Sequence, residues 1–104
     1  AGSDLIFMSG QVGRTLPAGD LLPDFEGQIR QTFVNIKAVL DDAGMDLTNI
    51  VKMTTYLTDR NNLAAMREIR KEILGGHKPA HTLVIVAGLA FEDYLIEVDC
   101  TAAA

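Results

Sequence analysis

The chain has 104 residues and a mass of 11.2 kDa, enough for one domain with a single modest core. Hydrophobic residues make up 48% and charged residues 22%, which excludes an intrinsically disordered chain. The formal charge is −5, and no run of Lys or Arg supplies the electrostatic footprint that nucleic acid demands.

No apolar stretch approaches the ~18 residues of a membrane span. Cys100 is the only cysteine, so an intrachain disulfide is impossible and the chain suits a reducing, cytoplasmic compartment. The mean hydropathy of +0.17 is slightly apolar for so short a chain. A small monomer of that balance would expose apolar surface, which points to an oligomer.

Leu5-Ile6-Phe7-Met8-Ser9 reads as a strand ended by Gly10. The stretch from Gly10 to Pro23 carries Gly13, Pro17 and Gly19 as well and reads as loop. Asp24 sits where an N-cap belongs, with Glu26 in the positive first turn. Ile29, Phe33, Ile36, Val39, Leu40 and Ala43 follow at helical spacing, and Gly44 suits the C′ position, predicting a helix over 25–43. Residues 50–57 alternate Val51, Met53, Thr55, Leu57 against Ile50, Lys52, Thr54, Tyr56, predicting a strand with one drier face. Asp59 or Asn61 is the expected cap of a second helix, which carries Leu63, Met66, Ile69, Ile73 and Leu74 and stops at Gly75-Gly76. After Pro79 come an apolar strand over 83–87, a turn over 88–93 and a last strand over 94–103. The order β, α, β, α, β, β in a single domain over 1–104 fits an α/β class chain, an α+β two-layer sandwich with a mixed sheet.

The last strand separates its residues by parity. Tyr94, Ile96, Val98, Cys100 and Ala102 share the face expected to meet the helices, and Cys100 there reads as a small hydrophobe. Leu95, Glu97, Asp99, Thr101 and Ala103 share the other, placing two carboxylates two residues apart. Two helices cannot cover both sides of the sheet, so the Glu97 face needs water or a partner subunit.

Familiar catalytic signatures are absent from the sequence: no glycine-rich dinucleotide fingerprint, phosphate loop or nucleophile elbow. His77 and His81 have the i, i+4 spacing of a metal pair on a helix, but Pro79 between them speaks against an unbroken helix, so no metal site is expected.

What remains is a set of collinear segments: Met8-Ser9-Gly10-Gln11-Val12, the helical run Gln31 to Leu40, Ala43-Gly44, Ile50 to Leu57, Pro79-Ala80 and Ile96-Glu97-Val98. Together they resemble the Rid (YjgF, reactive-intermediate deaminase) family over essentially the whole chain. The resemblance implies a chorismate-mutase-like sheet with two helices on one face. It also implies a homotrimer whose sheets form a central barrel, with clefts between subunits. It implies hydrolysis of small enamines and imines to 2-keto acids and ammonia, without a cofactor. The N-terminal strand of the family is absent here, and no initiator Met is present, so roughly 20 further N-terminal residues are expected in the native chain.

Carried over by position, the resemblance makes Glu97 the group that orients water or shuttles a proton. Where the family has Arg, this chain has His81, which lacks the guanidinium fork and is mostly neutral at pH 7. Losing a charged clamp weakens carboxylate binding by about 1.5–3 kcal/mol, so a non-standard substrate is expected. Ser9, Arg14, Arg67 and Thr82 are the candidate substrate-binding residues; either arginine could restore a positive charge. His81 is itself a catalytic candidate, for substrate contact or acid/base work at an intersubunit cleft, the alternative being a loop histidine satisfied by backbone. For Glu97 the alternative is a structural carboxylate inside the trimer. Asp99 and Tyr56 read as structural. The competing functional reading is a non-catalytic ligand-binding or chaperone-like trimer of the same fold.

Overall fold

The computed structural model describes residues 4–16 and 19–104. Ala1 to Ser3, and Pro17 in the loop predicted from Gly10 to Pro23, lie outside the described residues. The elements are β1 (Leu5–Val12), α1 (Phe25–Asp42), β2 (Ile50–Leu57), α2 (Leu63–Leu74), β3 (Ala80–Ile85) and β4 (Ile96–Ala103), in the predicted order. The sheet runs β1-β4-β2-β3; β4 is antiparallel to both neighbours and β2 is parallel to β3. This mixed sheet with two helices is the α+β two-layer sandwich the sequence predicts.

Helix α1 starts where its cap dictates: Asp24 Oδ1 accepts a 2.7 Å hydrogen bond from the Gly27 N–H. It ends at Gly44, whose φ of 72° suits a residue without Cβ. Ile29, Ile36 and Leu40 are fully buried against the sheet, contributing about 1.5–3 kcal/mol each. They meet Met53, Leu57, Ile96, Val98 and Ala102, so the parity assigned to the last strand holds.

A polar stripe accompanies the apolar one. Gln28, Thr32 and Asn35 are buried at i, i+4, i+7 spacing, and each is satisfied. Gln28 Nε2 donates to Leu22 O and Asp93 O, each at 3.0 Å, while its Oε1 accepts from the Leu95 N–H at 2.8 Å. Asn35 Nδ2 donates to Val12 O and Arg14 O. These two amides pin the loops that follow β1 and precede β4, at one end of the sheet, to α1.

Four local expectations need correction. Strand β1 does not stop at Gly10: the register shifts between Met8 and Gln11, and this bulge carries pairing on to Val12. A second register shift between Ile50 and Lys52 turns Ile50 into the core and leaves Val51 48% exposed, reversing the parity assigned to those two. Asp59 caps a single 3-10 turn over Arg60–Asn62 rather than α2 itself; its Oδ1 accepts from Asn61 N–H, and the α2 cap position falls to Asn62, without a side-chain bond. Strand β3 begins at Ala80, three residues before the apolar run, because residues 80–82 pair in register with 52–54 of β2. As an edge strand it leaves Val84 and Ile85 each 37% exposed.

Both helices lie on one face. The opposite face is uncovered and carries Leu5, Phe7 (77% exposed), Thr82, Val84, Glu97, Asp99 and Thr101. Among the described residues no helix is long and apolar enough to cross a membrane.

Candidate active site

The uncovered face holds one half of the candidate chemistry. Glu97 pairs with Tyr56 across β4 and β2, and its side chain runs over Gly10 in the β1 bulge. A Cβ at Gly10 would fall 2.6 Å from Glu97 Cδ, so glycine there leaves the carboxylate room to lie over the strand. Partial burial, then the neighbouring Asp99 charge, push the Glu97 carboxyl above its ordinary range. Tyr56 Oη donates to Asp99 Oδ2 at 3.1 Å, and that bond with the carboxylate charge raises the phenol pKa. Ser9 lies exposed in the same bulge, its carbonyl accepting from Gln11 Nε2. Thr82 belongs to this face as well: it pairs with Thr54, and its Oγ1 accepts from Lys52 Nζ at 2.6 Å.

The other half lies on the helix side, at the free edge of β3. His81 pairs with Met53, and its Nε2 bonds Thr55 Oγ1 at 2.8 Å. Thr55 is buried in the core face, so His81 and Glu97 point to opposite sides of the sheet. The other ring nitrogen, Nδ1, bonds Nη1 of Arg70 from α2. A guanidinium can only donate, so Nδ1 accepts and the proton sits on Nε2. Burial, then the Arg70 and Lys52 charges, push His81 down to about 4. The ring is therefore neutral at pH 7.

Around His81 opens a groove of about 530 Å³ lined by Arg67, Arg70, Lys71, Lys78 and, on the acidic side, Glu68. Four of the chain's nine Lys and Arg collect here although the chain carries a net −5. Arg67 is exposed on α2 and lines this groove. Arg70 is the residue sequence reasoning passed over; it lies one helical turn from Arg67, the spacing that could have found it.

Arg14 makes no described hydrogen bond to either half and does not line the groove. Its Nε donates to Tyr94 Oη at 2.7 Å, its Nη1 to Gly19 O, and its guanidinium lies 5.7 Å from the Phe91 ring centroid. The described contacts of Arg14 brace a loop. His77 and His81 do not form a pair: His77 Nε2 bonds Ile50 O at 2.8 Å beyond the end of α2. Cys100 is buried beside the core, and desolvation pushes its thiol up to about 12.

The sheet order and the two-helix layer define an α+β chain with the fold of the RidA and YjgF structures. The family described as Endoribonuclease L-PSP matches residues 2–104, and the chain belongs to this family, whose members include RidA and YjgF. A RutC family protein of Pyrococcus horikoshii is 38% identical over 100 residues, covering 95% of this chain and 79% of that protein. The rat 2-iminobutanoate/2-iminopropanoate deaminase is 36% identical over 85 residues, covering 81% of this chain and 62% of that protein. The crystal structure of RidA from an Antarctic Psychrobacter superposes with a TM-score of 0.93 at 31% identity, covering 100% of this chain and 83% of that one.

Proposed function

We propose that this protein is a hydrolytic deaminase of enamine and imine intermediates, working as a homotrimer at clefts between subunits. One observation carries the reading. Glu97 is a proton-accepting carboxylate with a raised pKa, on a sheet face that no helix covers. The basic groove lies on the opposite side, at the free edge of β3. One chain cannot bring the two halves to one substrate. A neighbour whose uncovered face lies along that edge can. The apolar Leu5, Phe7 and Val84 of that face support such an interface.

The chemistry asks little of the protein. Glu97 orients a water against the imine carbon and takes its proton as the C–O bond forms. The proton passes to nitrogen, the C–N bond of the carbinolamine breaks, and a 2-keto acid and ammonia leave. The basic groove holds the substrate carboxylate. Ser9 and Thr82 offer hydroxyls beside the path of the Glu97 face. The excess of positive charge in the groove also suits a non-standard substrate with a further anionic group, beside the simplest imino acids, in keeping with the replacement of Arg by His81. The buried thiol of Cys100 fits a cytoplasmic setting.

The second reading, a ligand-binding or chaperone-like trimer without chemistry, is favoured by the engagement of both His81 nitrogens within the chain. The discriminating assay generates 2-aminoacrylate with a pyridoxal enzyme and follows keto acid release in stopped flow. Acceleration by the protein, lost about 100-fold or more in Glu97→Gln, is expected. No acceleration across a panel of imines, aminomuconate included, leaves the binding reading.

A further inference from the structure

Among the described hydrogen bonds, Arg70 is the cation that bonds a histidine ring. Arg30 forms ion pairs with Glu26 and Glu72, and Arg14 is held by a phenol and a carbonyl. The one hydrogen bond described for Arg70 goes to the neutral ring of His81, and no described carboxylate lies within ion-pair distance. It lines the groove, and its remaining N–H donors have no described partner in the chain. It is partly buried and stands beside Arg67, so desolvation and then like charge hold its pKa down. A half-desolvated guanidinium without a counter-charge costs free energy, and an anion in the groove removes that cost.

His81 cannot fill this role. Its Nε2–H is given to Thr55 Oγ1 and its Nδ1 lone pair to Arg70, which leaves no free donor. Thr55 is fully buried in the sheet core, so the chain Thr55–His81–Arg70 ties a long side chain of α2 to a buried residue of the sheet. A guanidinium fixed in this way loses less entropy when it binds a planar anion.

We infer that Arg70 is the anion-binding residue of the groove and that His81 is a positioning residue that holds it there. The anion's identity, the carboxylate of a 2-imino or 2-keto acid, rests on the deaminase reading above. The binding of the stable products pyruvate and 2-oxobutanoate is therefore measured separately from turnover, by calorimetry and by NMR titration of the intact protein.

Arg70→Gln should weaken both keto acids by at least tenfold, the loss of one charge-assisted hydrogen bond pair. Arg70→Lys, which keeps the charge without the fork, should fall between. Arg30→Gln, which removes an equal charge at the remote α1–α2 ion pair, reports any general charge effect and should stay within twofold. His81→Leu should weaken binding as Arg70→Gln does, while His81→Gln, whose amide oxygen accepts from Arg70, should recover most of it. In turnover, Arg70→Gln should raise KM tenfold with kcat within threefold. Melting curves confirm that each variant is folded.

Equal binding by wild type and Arg70→Gln overturns the assignment of Arg70, as does no binding of either keto acid by wild type. Equal effects of His81→Leu and His81→Gln overturn the positioning role. If no imine is hydrolysed but keto acid binding still depends on Arg70, the deaminase reading falls and this inference stands. If imines are hydrolysed with an unchanged KM in Arg70→Gln, the reverse holds.

Discussion

Glu97 lies over the bare Cα of Gly10, and a methyl group there would come within 2.6 Å of its Cδ. The β1 bulge thus sets the position of the carboxylate through an absence of side chain. The obstructing atoms are the far end of a flexible side chain, so Gly10→Ala should move Glu97 rather than unfold the protein. The expected result is a kcat at least tenfold lower, KM within threefold and a Tm within a few degrees of wild type. Steady-state kinetics beside a thermal melt reads all three.

The raised pKa of Glu97 is also a stability statement. An acid whose folded pKa exceeds its unfolded value costs stability once ionised, and costs nothing below the unfolded value. Glu97→Gln should therefore raise Tm at pH 7. The gain should shrink as pH falls through the folded pKa of Glu97 toward the ordinary carboxylate range. A loss of Tm at pH 7 would show that the ionised carboxylate is structurally stabilising instead.

His81 gives the opposite dependence. Its pKa falls from 6.5 unfolded to about 4 folded, so stability is complete above pH 6.5 and is lost as pH falls from there toward 4. The full loss is about 1–2 kcal/mol after allowing for solvent screening of a partly exposed ring. Most ordinary carboxylates titrate lower, so urea unfolding at pH 7 and pH 5 should show a drop in wild type that His81→Gln lacks.

Gln28 and Gly13 test the joint between α1 and the loops. Gln28→Leu leaves the Leu95 N–H and two carbonyls without partners, at a cost of about 2–3 kcal/mol. Gly13→Ala would set a Cβ 2.5 Å from Gln28 Cα, and backbone cannot give way cheaply, so about 1–3 kcal/mol should be lost. Chemical denaturation of each variant measures both.

The sequence was informative where one physical signal dominated. The apolar spacing of Ile29, Phe33, Ile36 and Leu40 and the Asp24 cap define α1 to within a residue, and the parity of Ile96, Val98 and Cys100 defines both faces of β4. It is silent where strands slip: neither bulge has a local signature, so simple alternation puts Ile50 and Val51 on the wrong faces and ends β1 at Gly10. The buried stripe of Gln28, Thr32 and Asn35 was legible in principle, since it repeats the helical spacing of the apolar residues beside it. At the candidate site, Glu97 could be read from parity and resemblance. The separation of His81 from Glu97 could not, because it follows from the β2–β3 register. Arg70 escaped because its significance lies in its contact with His81, eleven residues away.

The central claim is that the Glu97 half and the Arg70 half meet only between subunits. Light scattering should first give a particle of about three times the 11.2 kDa chain mass. The direct measurement mixes unfolded Glu97→Gln and Arg70→Gln chains in equal amounts, refolds them together and assays imine hydrolysis at low substrate. With random assembly, about one quarter of the clefts receive both intact halves, so activity should rise to about a quarter of wild type, above that of either variant alone. Activity that stays at the mean of the two separate variants would place both halves in a single chain and contradict the account.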